Sequence, residues 1–263
     1  MPRKAKISRT GNIRIGIGGW NYKPWRGVFY PKGLVQKSEL EYASRKLTSI
    51  EINSTFYGSQ KPASFTKWYA ATPDDFTFSV KGPMFATHRR VLAEAGDSIE
   101  RFFASGVLLL QEKLGPINWQ LGPEKKFDAG DLADFLALLP RKIAGRAIRH
   151  AIEVRHPSFD TPEFPALARR HGVAIVVAGD SRFPQITQDT APFVYVRIMG
   201  TTAKLKNGYS SRDLDAWAAR ASKWAGDGRE VFLYVISGCK KRNPAAALAL
   251  IERVALGAGP LPR

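Results

Sequence analysis

Apolar and polar side chains alternate in the stretch Ser49-Ile50-Glu51-Ile52-Asn53. Its isoleucines fall on one face of an extended segment and Glu51 and Asn53 on the other, because strand side chains alternate between faces. In a closed parallel barrel, aliphatic side chains pack under helices while polar side chains converge at one mouth. The stretch therefore predicts a barrel strand with its polar groups near the carboxyl end.

The same alternation recurs in four further segments. Their polar members, each set against aliphatic or aromatic neighbours, are Thr77, Ser79, Lys81, Asn118, Gln120, Glu153, Arg155, Tyr195 and Arg197. Each segment thus has an apolar face and a face that carries acids, bases or amides. A repeated pattern of this kind indicates several strands of one barrel rather than one unusual strand.

Strand candidates alternate with helical segments along the chain. The strands are predicted at 13–18, 49–53, 76–81, 117–121, 151–155, 173–178, 193–198 and 231–236, and the helices near 36–47, 62–71, 97–113, 128–139, 161–171, 210–225 and 243–255. This order predicts an α/β fold, a parallel β/α barrel of the TIM type. Residues 179–192 lack helical periodicity, so one crossover helix is expected to be missing between strands six and seven.

Length and composition agree with one barrel domain. The chain has 263 residues, 44% of them hydrophobic, and α/β barrels of about 250 residues fold as single domains. Residues 12–263 are assigned to the barrel and residues 1–11 to a basic, flexible arm. No apolar run approaches the roughly 20 residues that span a bilayer, and no secretory signal is evident, so a cytoplasmic protein without a membrane partner is expected. The single cysteine, Cys239, fits a reducing compartment.

The charge is strongly basic. Lysine and arginine total 40 against 23 acids, which gives a net charge of +17. Such a charge attracts anions and favours salt-sensitive association with nucleic acid, although basic surface residues are also commonly only solvated. A small anionic molecule is the expected partner, and nucleic acid is the alternative.

Right-handed β/α crossovers bring the ends of all strands to one rim. The polar residues at or just after these ends are Glu51, Asn53, Lys81, Gln120, Glu153, Arg155, His156, Asp180 and Arg197. One explanation for these charges is a structural ion pair inside the barrel, either Glu153–Arg155 or Glu51–Lys81. Burying a charge costs several kcal/mol, however, and apolar residues would stabilise a barrel equally well, so a functional pocket is favoured.

Three kinds of chemistry fit this rim. Glu51 and Glu153 are the acid–base candidates, with His156 and Asp180 as further candidate catalytic residues. These acids and the histidine are also possible ligands of a divalent metal. That interpretation is disfavoured because no two histidines have ligand spacing and because cations lie nearby, so no cofactor is expected. In the favoured interpretation Lys81, Arg155 and Arg197 bind a phosphate or carboxylate while a glutamate acts as base.

Other residues complete the predicted substrate site. Asn53 and Gln120 are orienting amides, Tyr195 faces the barrel interior, and His88 is a candidate proton shuttle. The aromatic residues Trp20, Tyr22, Trp25, Phe56 and Tyr57 follow the first two strands, where a sugar face or nucleobase could stack. Of these, Trp25 and Phe56 are expected to pack against adjacent loops instead.

A second binding feature is predicted where the barrel closes. Strand seven runs into Gly200-Thr201-Thr202, and strand eight runs through Ser237-Gly238-Cys239 into a helix that starts at Asn243. Glycines and a helix start at this point often hold phosphate in TIM barrels. An anion is therefore expected within hydrogen-bonding reach of Arg197.

The motifs together resemble a known family. They are Gly16–Tyr22, Trp25–Pro31, Glu51–Tyr57, Val80–Pro83, Thr87-His88, Lys113–Pro116, Glu153–Phe159, Tyr195–Arg197, Gly200, Tyr209 and Trp217. In this order they are similar to domain-of-unknown-function family 72, the YecE-like proteins, over nearly the whole chain. The resemblance implies a TIM-type barrel and no particular reaction. Relatives usually end the last strand with an aromatic residue and an Asn-Asn or Asn-Asp pair, whereas this chain has Ser237-Gly238-Cys239, so any role of those amides does not carry over.

The sequence therefore predicts an enzyme of the hydrolase, lyase or isomerase type. Its paired glutamates would act on a small anionic molecule, sugar-like or nucleotide-like. A nucleic-acid-binding or phosphodiester-cleaving protein is the first alternative, and a non-catalytic binding scaffold derived from an enzyme is the second.

Overall fold

Eight parallel strands close into a barrel in the computed structural model, which describes residues 13–257. The strands are β1 Ile13–Gly18, β2 Ser49–Ile52, β3 Thr77–Lys81, β4 Leu114–Gln120, β5 His150–Glu153, β6 Ala174–Val177, β7 Phe193–Ile198 and β8 Glu230–Val235. Each strand pairs with the next along the chain, and β8 pairs with β1. The predicted TIM-type barrel is confirmed. The predicted N-terminal arm, residues 1–11, lies outside the described residues.

Helices connect most of the strands. They are α1 Glu39–Lys46, α2 Ser54–Tyr57, α3 Pro62–Ala70, α4 Met84–Thr87, α5 Gly96–Ala104, α6 Ala129–Leu138, α7 Glu163–His171, α8 Ser211–Gly226 and α9 Asn243–Gly257. Between β6 and β7 the described chain forms no helix, so the predicted loss of one crossover helix is confirmed. None of the helices within residues 13–257 combines the length and the hydrophobicity that a membrane span requires.

The structure corrects some element boundaries. The helix predicted over 97–113 ends at Ala104, and a 3-10 segment, Val107–Lys113, follows it. The break lies at Gly106, whose φ of 103° belongs to the left-handed region that only glycine adopts readily. The helices α2 and α4, four residues each, were not predicted. Nor was the hairpin that pairs Lys142–Ile143 with Arg146–Ala147.

The barrel wall has the two faces that the sequence predicts. Ile50 and Ile52 belong to the apolar core under the helices, whereas the polar side chains of β2 make their hydrogen bonds across the barrel. Ser49 Oγ lies 2.7 Å from the hydroxyl of Tyr234 on β8, and Glu51 accepts a hydrogen bond from the hydroxyl of Tyr195 on β7. Serine and tyrosine side chains thus fill the middle of the barrel, and charged side chains lie toward its carboxyl end.

Candidate active site

A cluster of charged side chains lies inside the barrel at the carboxyl ends of the strands. Glu51 and Glu153 are fully buried, and Lys81 and Arg197 are each 4% exposed. Arg155 follows β5 at the edge of this cluster, with 21% of its side chain exposed. The period-two phase of the strands brings these residues together, as the sequence predicts.

Arg197 joins the two glutamates. Its Nη1 donates to Glu153 Oε2, and its Nη2 donates to Glu51 Oε2 at 3.1 Å. Nη1 also donates to Gln120 Oε1 at 3.1 Å. The predicted role of Arg197 as a contact for an external anion therefore needs correction, because protein oxygens already bind its guanidinium in a buried position.

Glu153 is held as a fixed negative charge. Its Oε1 accepts a hydrogen bond from Arg155 Nε at 2.9 Å and lies 2.8 Å from Arg155 Nη2 in an ion pair. Burial alone would raise the pKa of Glu153, but the charges of Arg197, Arg155 and Lys81 outweigh burial and lower the pKa to about 2. A carboxyl group with such a pKa does not donate protons near neutral pH, which argues against Glu153 as the acid of the predicted acid–base pair.

Glu51 is also fully bonded. Its Oε1 accepts from the Tyr195 hydroxyl at 2.7 Å and from Asn118 Nδ2 at 3.3 Å, while Oε2 accepts from Arg197. Burial and the neighbouring Glu51 charge raise the pKa of Tyr195 well above its ordinary value. Tyr195 therefore stays protonated and acts as a hydrogen-bond donor to Glu51.

Lys81 differs from the other charged groups in the cluster. Its Nζ donates to Gln120 Oε1 at 2.7 Å and lies 3.7 Å from the centroid of the Phe56 ring. Among residues 13–257 it forms no ion pair, because the two glutamates bind Arg197 and Arg155 instead. Burial and the Arg197 charge lower the pKa of Lys81 to about 7, against the opposing effect of Glu51 and Glu153.

Two buried polar atoms in the same region have no hydrogen-bond partner among the described residues. They are Nε of Arg197 and Oδ1 of Asn118. Buried polar groups in proteins are nearly always bonded. These two atoms therefore leave the cluster with an unused donor and an unused acceptor.

The remaining predicted catalytic residues have partners outside the charged cluster. His156 Nδ1 accepts from the backbone N–H of Ser158 at 3.1 Å and so caps a short 3-10 helix, Pro157–Phe159. Asp180 Oδ2 accepts from Trp217 Nε1 at 2.8 Å. These bonds give both residues structural roles, and the prediction that they act with the glutamates is not supported by the geometry.

A basic pocket opens between the loops that follow β3 and β4. It has a volume of about 620 Å³ and is lined by Thr87, His88, Arg89, Arg90, Gly122, Pro123, Glu124, Lys125 and Lys126. Arg89 donates to Phe85 O, and Lys125 pairs with Asp131. In the described part of the chain, Arg90 and Lys126 have no ion-pair partner, so two cationic side chains of this pocket are free for an anion.

His88 connects the basic pocket to the charged cluster. Its ring packs against the Phe56 ring with centroids 5.4 Å apart, and Lys81 Nζ lies 3.7 Å from the centroid of the same Phe56 ring. Partial burial and the positive charges of Lys81 and Arg155 lower the pKa of His88. His88 is therefore neutral at neutral pH, which suits a hydrogen-bonding role better than a permanent charge.

An aromatic pocket of about 370 Å³ lies between the loops that follow β1 and β2. Its lining includes Trp20, Tyr22 and Asn53, which were predicted to bind substrate, together with Tyr57, Trp68 and Lys240. Trp25 is buried and donates from Nε1 to Lys240 O at 2.8 Å. Trp25 therefore packs against a neighbouring loop, as expected.

Sequence reasoning missed two members of the site. Phe56 was expected only to pack against loops, yet its ring covers Lys81 and contacts His88. Asn118 was identified as inward-facing but was not included in the site, although it donates to Glu51. The sequence contains a signal for each residue. Phe56 follows β2 closely, and Asn118 lies on the same strand face as Gln120.

The anion cradle predicted after β7 and β8 is filled by internal hydrogen bonds. Gly200 N donates to the Tyr209 hydroxyl at 2.7 Å, and Cys239 N donates to Thr201 O at 2.7 Å. The Asn243 side chain is buried and accepts from Thr201 Oγ1 at 2.7 Å. The prediction of a phosphate at this point is therefore not supported, because these donors already serve the loops.

No group of three or more histidine, cysteine, aspartate or glutamate side chains within residues 13–257 is placed to hold a metal ion. The acids of the charged cluster instead bind arginines, which would repel a cation at the same position.

Comparison with protein families identifies the chain. The model described as protein of unknown function DUF72 matches residues 14–263. The chain belongs to this family. The resemblance predicted from the motifs is thereby confirmed, and the family match covers all the site residues described above.

Solved structures of DUF72 family proteins have the same fold. One from Thermotoga maritima is 24% identical, with a TM-score of 0.74, over 91% of this chain and 98% of that chain. One from Enterococcus faecalis is 17% identical, with a TM-score of 0.70, over 94% of this chain and 96% of that chain. A xylose isomerase-like TIM barrel/4-hydroxyphenylpyruvate dioxygenase fusion protein is 16% identical, with a TM-score of 0.52, over 89% of this chain and 41% of that one. No curated protein matches the sequence.

Proposed function

We propose that this DUF72 protein is an enzyme that uses the Lys81 amine for proton transfer on a small anionic molecule. The observation that carries the proposal is the state of Lys81. It is buried at the mouth of the barrel with one hydrogen-bond acceptor and no ion pair among the described residues. Active sites of TIM barrels lie at this end of the strands.

A second buried lysine provides an internal comparison. Lys113 is 2% exposed, and its Nζ donates to Tyr69 O at 2.7 Å, to Thr72 O at 2.8 Å and to Thr72 Oγ1 at 3.4 Å. An ammonium group has three donors, so three acceptors satisfy a structural lysine. Lys81 lacks such a set, and a buried charge without it costs several kcal/mol. Because Lys81 is energetically costly at this position, its presence at the barrel mouth favours a functional role for its side chain over a structural one.

The lowered pKa gives Lys81 a chemical role. With a pKa of about 7, the amine is present in both its neutral and its charged form near neutral pH. The neutral amine accepts a proton and the ammonium donates one, and general acid–base catalysis is most efficient when the pKa lies near the working pH. In this proposal Lys81 replaces the glutamates as the proton-transfer group.

The glutamates then serve as fixed charges that position the site. Glu51 and Glu153 hold Arg197, and Arg197 together with Lys81 shares the Oε1 atom of Gln120. This chain of bonds fixes the Gln120 amide and therefore the Lys81 amine. Such preorganised charges act more strongly in a buried site than in water.

The basic pocket supports an anionic substrate. Arg90 and Lys126 line it, and His88 lies between it and the Phe56 ring that covers Lys81. A phosphate or carboxylate bound there would lie on the same side of the barrel mouth as Lys81. The net charge of +17 would also raise the local concentration of such an anion.

The experiment compares two buried lysines. A small-molecule extract is incubated with wild-type protein, Lys81→Met and Lys113→Met, and its components are measured over time by mass spectrometry. Wild type is expected to consume at least one anionic component, faster as pH rises through about 7 because the neutral amine accumulates. Lys81→Met should keep its fold and lose this activity.

Lys113→Met serves as the matched control. It should lower the stability, because it leaves the buried carbonyl oxygen of Thr72 without its lysine donor, and it should retain the activity wherever it is folded. Equal consumption by wild type and Lys81→Met would contradict the proposal. An extract that wild type leaves unchanged would contradict it as well.

A further inference from the structure

The aromatic pocket has the features of a ligand site that proton transfer by Lys81 does not require. Its volume of about 370 Å³ falls in the range of about 300–1,000 Å³ typical of small-molecule sites. Trp20, Tyr22, Tyr57 and Trp68 supply aromatic surface, and Tyr57 is 72% exposed. A large ring left in solvent at the mouth of a barrel is a candidate stacking surface.

The rings around this pocket stand perpendicular to one another. Trp20 and Trp68 have centroids 5.3 Å apart and an interplanar angle of 78°, and Tyr22 and Trp25 have centroids 5.2 Å apart and an angle of 74°. Nucleobases stack on ring faces, most favourably between parallel rings. Perpendicular aromatic rings instead form a corner. A corner of this kind suits a non-planar, saturated ring that packs one C–H face against an aromatic side chain.

The polar groups of the pocket are matched to hydroxyl groups. Asn53, Ser54 and Gln60 line it, and amide and hydroxyl side chains both donate and accept hydrogen bonds, as sugar hydroxyls do. Among the described residues, no hydrogen bond reaches Asn53 Oδ1 or Gln60 Oε1, since only the amide nitrogens are bonded. Lys240 is the one charged residue in the described lining, and its Nζ lies 4.5 Å from the centroid of the Tyr22 ring.

Glycine brings this pocket next to the charged cluster. A Cβ atom on Gly18 would lie 2.8 Å from Asn53 Nδ2 and 3.8 Å from Glu51 Oε2. Tyr57 also packs against Phe56, with centroids 5.1 Å apart, and Phe56 covers Lys81. A ring held in the pocket would therefore lie beside the residues of the proposed reaction.

We propose that the aromatic pocket binds a neutral, polyhydroxylated ring of the monosaccharide type. The inference deepens the proposed function, and it rests on that function for one statement only, that this ring and the reacting group belong to the same molecule. Binding of the ring itself depends on the pocket and not on Lys81.

Saturation-transfer-difference NMR tests the proposal with D-glucose, D-xylose and D-ribose as probes and with adenosine and guanosine as the flat-base comparison. Wild type is expected to transfer saturation to the C–H protons of at least one monosaccharide, more strongly on one face of its ring. Tyr57→Ala should weaken that binding by about tenfold, the loss expected for one stacking contact. Phe85→Ala removes an aromatic side chain that is 64% exposed and lines a different pocket, so it should leave the binding unchanged.

The outcomes separate this inference from the proposed function. Lys81→Met should bind the monosaccharide as wild type does, whereas it should lose turnover. Failure of the extract experiment with retained sugar binding would overturn the proposed reaction alone. The sugar proposal is overturned if no monosaccharide gives a signal at millimolar concentration, if only the nucleosides bind, or if Tyr57→Ala binds as well as wild type.

Discussion

At the scale of single residues, the lowered pKa of Lys81 has a consequence for stability. Folding lowers this pKa from its ordinary value of 10.5 to about 7. Between these values the unfolded chain binds more protons than the folded protein, so the free energy of unfolding rises with pH across that window. Below about pH 7 the folded protein carries the buried charge at its full cost.

Replacing Lys81 by Met should therefore stabilise the protein most at low pH. Gln120 Oε1 keeps a donor in this variant, since Arg197 also binds it. We expect the free energy of unfolding at about pH 6 to increase by on the order of 1–4 kcal/mol, with the difference from wild type shrinking toward about pH 10. Urea denaturation of both proteins at three pH values measures this difference in the free energy of unfolding. A difference that is constant with pH, or a destabilised variant, would argue against an unpaired ammonium.

Glu153 should also make the free energy of unfolding rise with pH, but in a more acidic range than Lys81. Its pKa falls from 4.5 to about 2 on folding, so its stabilising contribution is complete above about pH 4.5 and is lost as pH decreases toward about 2. Glu153→Gln should unfold more easily at neutral pH, because Arg197 loses a carboxylate, and its stability should fall less steeply with acid than that of wild type. If the free energy of unfolding falls equally steeply for the two proteins between about pH 5 and pH 2, Glu153 is not the group responsible for the loss of stability in acid.

At the scale of elements, the close packing of the end of β3 against β4 requires a glycine at position 82. A Cβ atom on Gly82 would lie 2.3 Å from the Trp119 ring, and Trp119 donates from Nε1 to His150 Nδ1 at 3.0 Å. Burial of His150 lowers its pKa to about 4, which keeps the ring neutral and able to accept this bond. The contact between β3, β4 and β5 thus leaves no room for a side chain beside Lys81.

Gly82→Ala should therefore destabilise the barrel by about 1–3 kcal/mol, the usual effect of overpacking a core. Gly226→Ala is the matched control, since nothing lies within 4 Å of a Cβ at this helical position, and it should be neutral or slightly stabilising. Thermal unfolding of the two variants measures the difference. Equal melting temperatures would mean that Trp119 moves aside at no cost.

The strands also show what the sequence could and could not predict. The phase of Glu51, Lys81 and Arg197 was predictable, because alternation along a strand assigns each side chain to a face. Their partners were not, since bonding between β2 and β7 depends on how the closed barrel places strands that are distant in the chain. Of the two structural ion pairs considered as an alternative, Glu153–Arg155 forms, whereas Glu51 binds Arg197 instead of Lys81.

Loops gave less information than strands. His156 and Asp180 were grouped with the glutamates because they follow strand ends, but no periodicity orients a loop side chain. Their actual bonds, to Ser158 and to Trp217, are local or depend on a distant helix. Short helices such as α2, which brings Phe56 over Lys81, were missed for the same reason.

At the scale of the whole molecule, the net charge of +17 should cause weak association with nucleic acid that is separate from the barrel site. We expect a labelled DNA duplex to bind at low salt, with an affinity that falls steeply as salt increases because counterions are released. Removing residues 1–11 should weaken this binding, whereas Lys81→Met should not change it. Fluorescence anisotropy measures both, and no association at low salt would rule out nucleic acid as a ligand.

Titration of the protein with ¹³Cε-labelled lysine, with each resonance followed by NMR, shows whether Lys81 is an amine without an ion pair that is able to transfer protons near neutral pH. One lysine signal, absent from Lys81→Met, should titrate with a midpoint near 7 while solvent-exposed lysines titrate near their ordinary value of 10.5. A Lys81 signal that titrates together with the exposed lysines would show that Lys81 stays charged at neutral pH and is not the proton-transfer group.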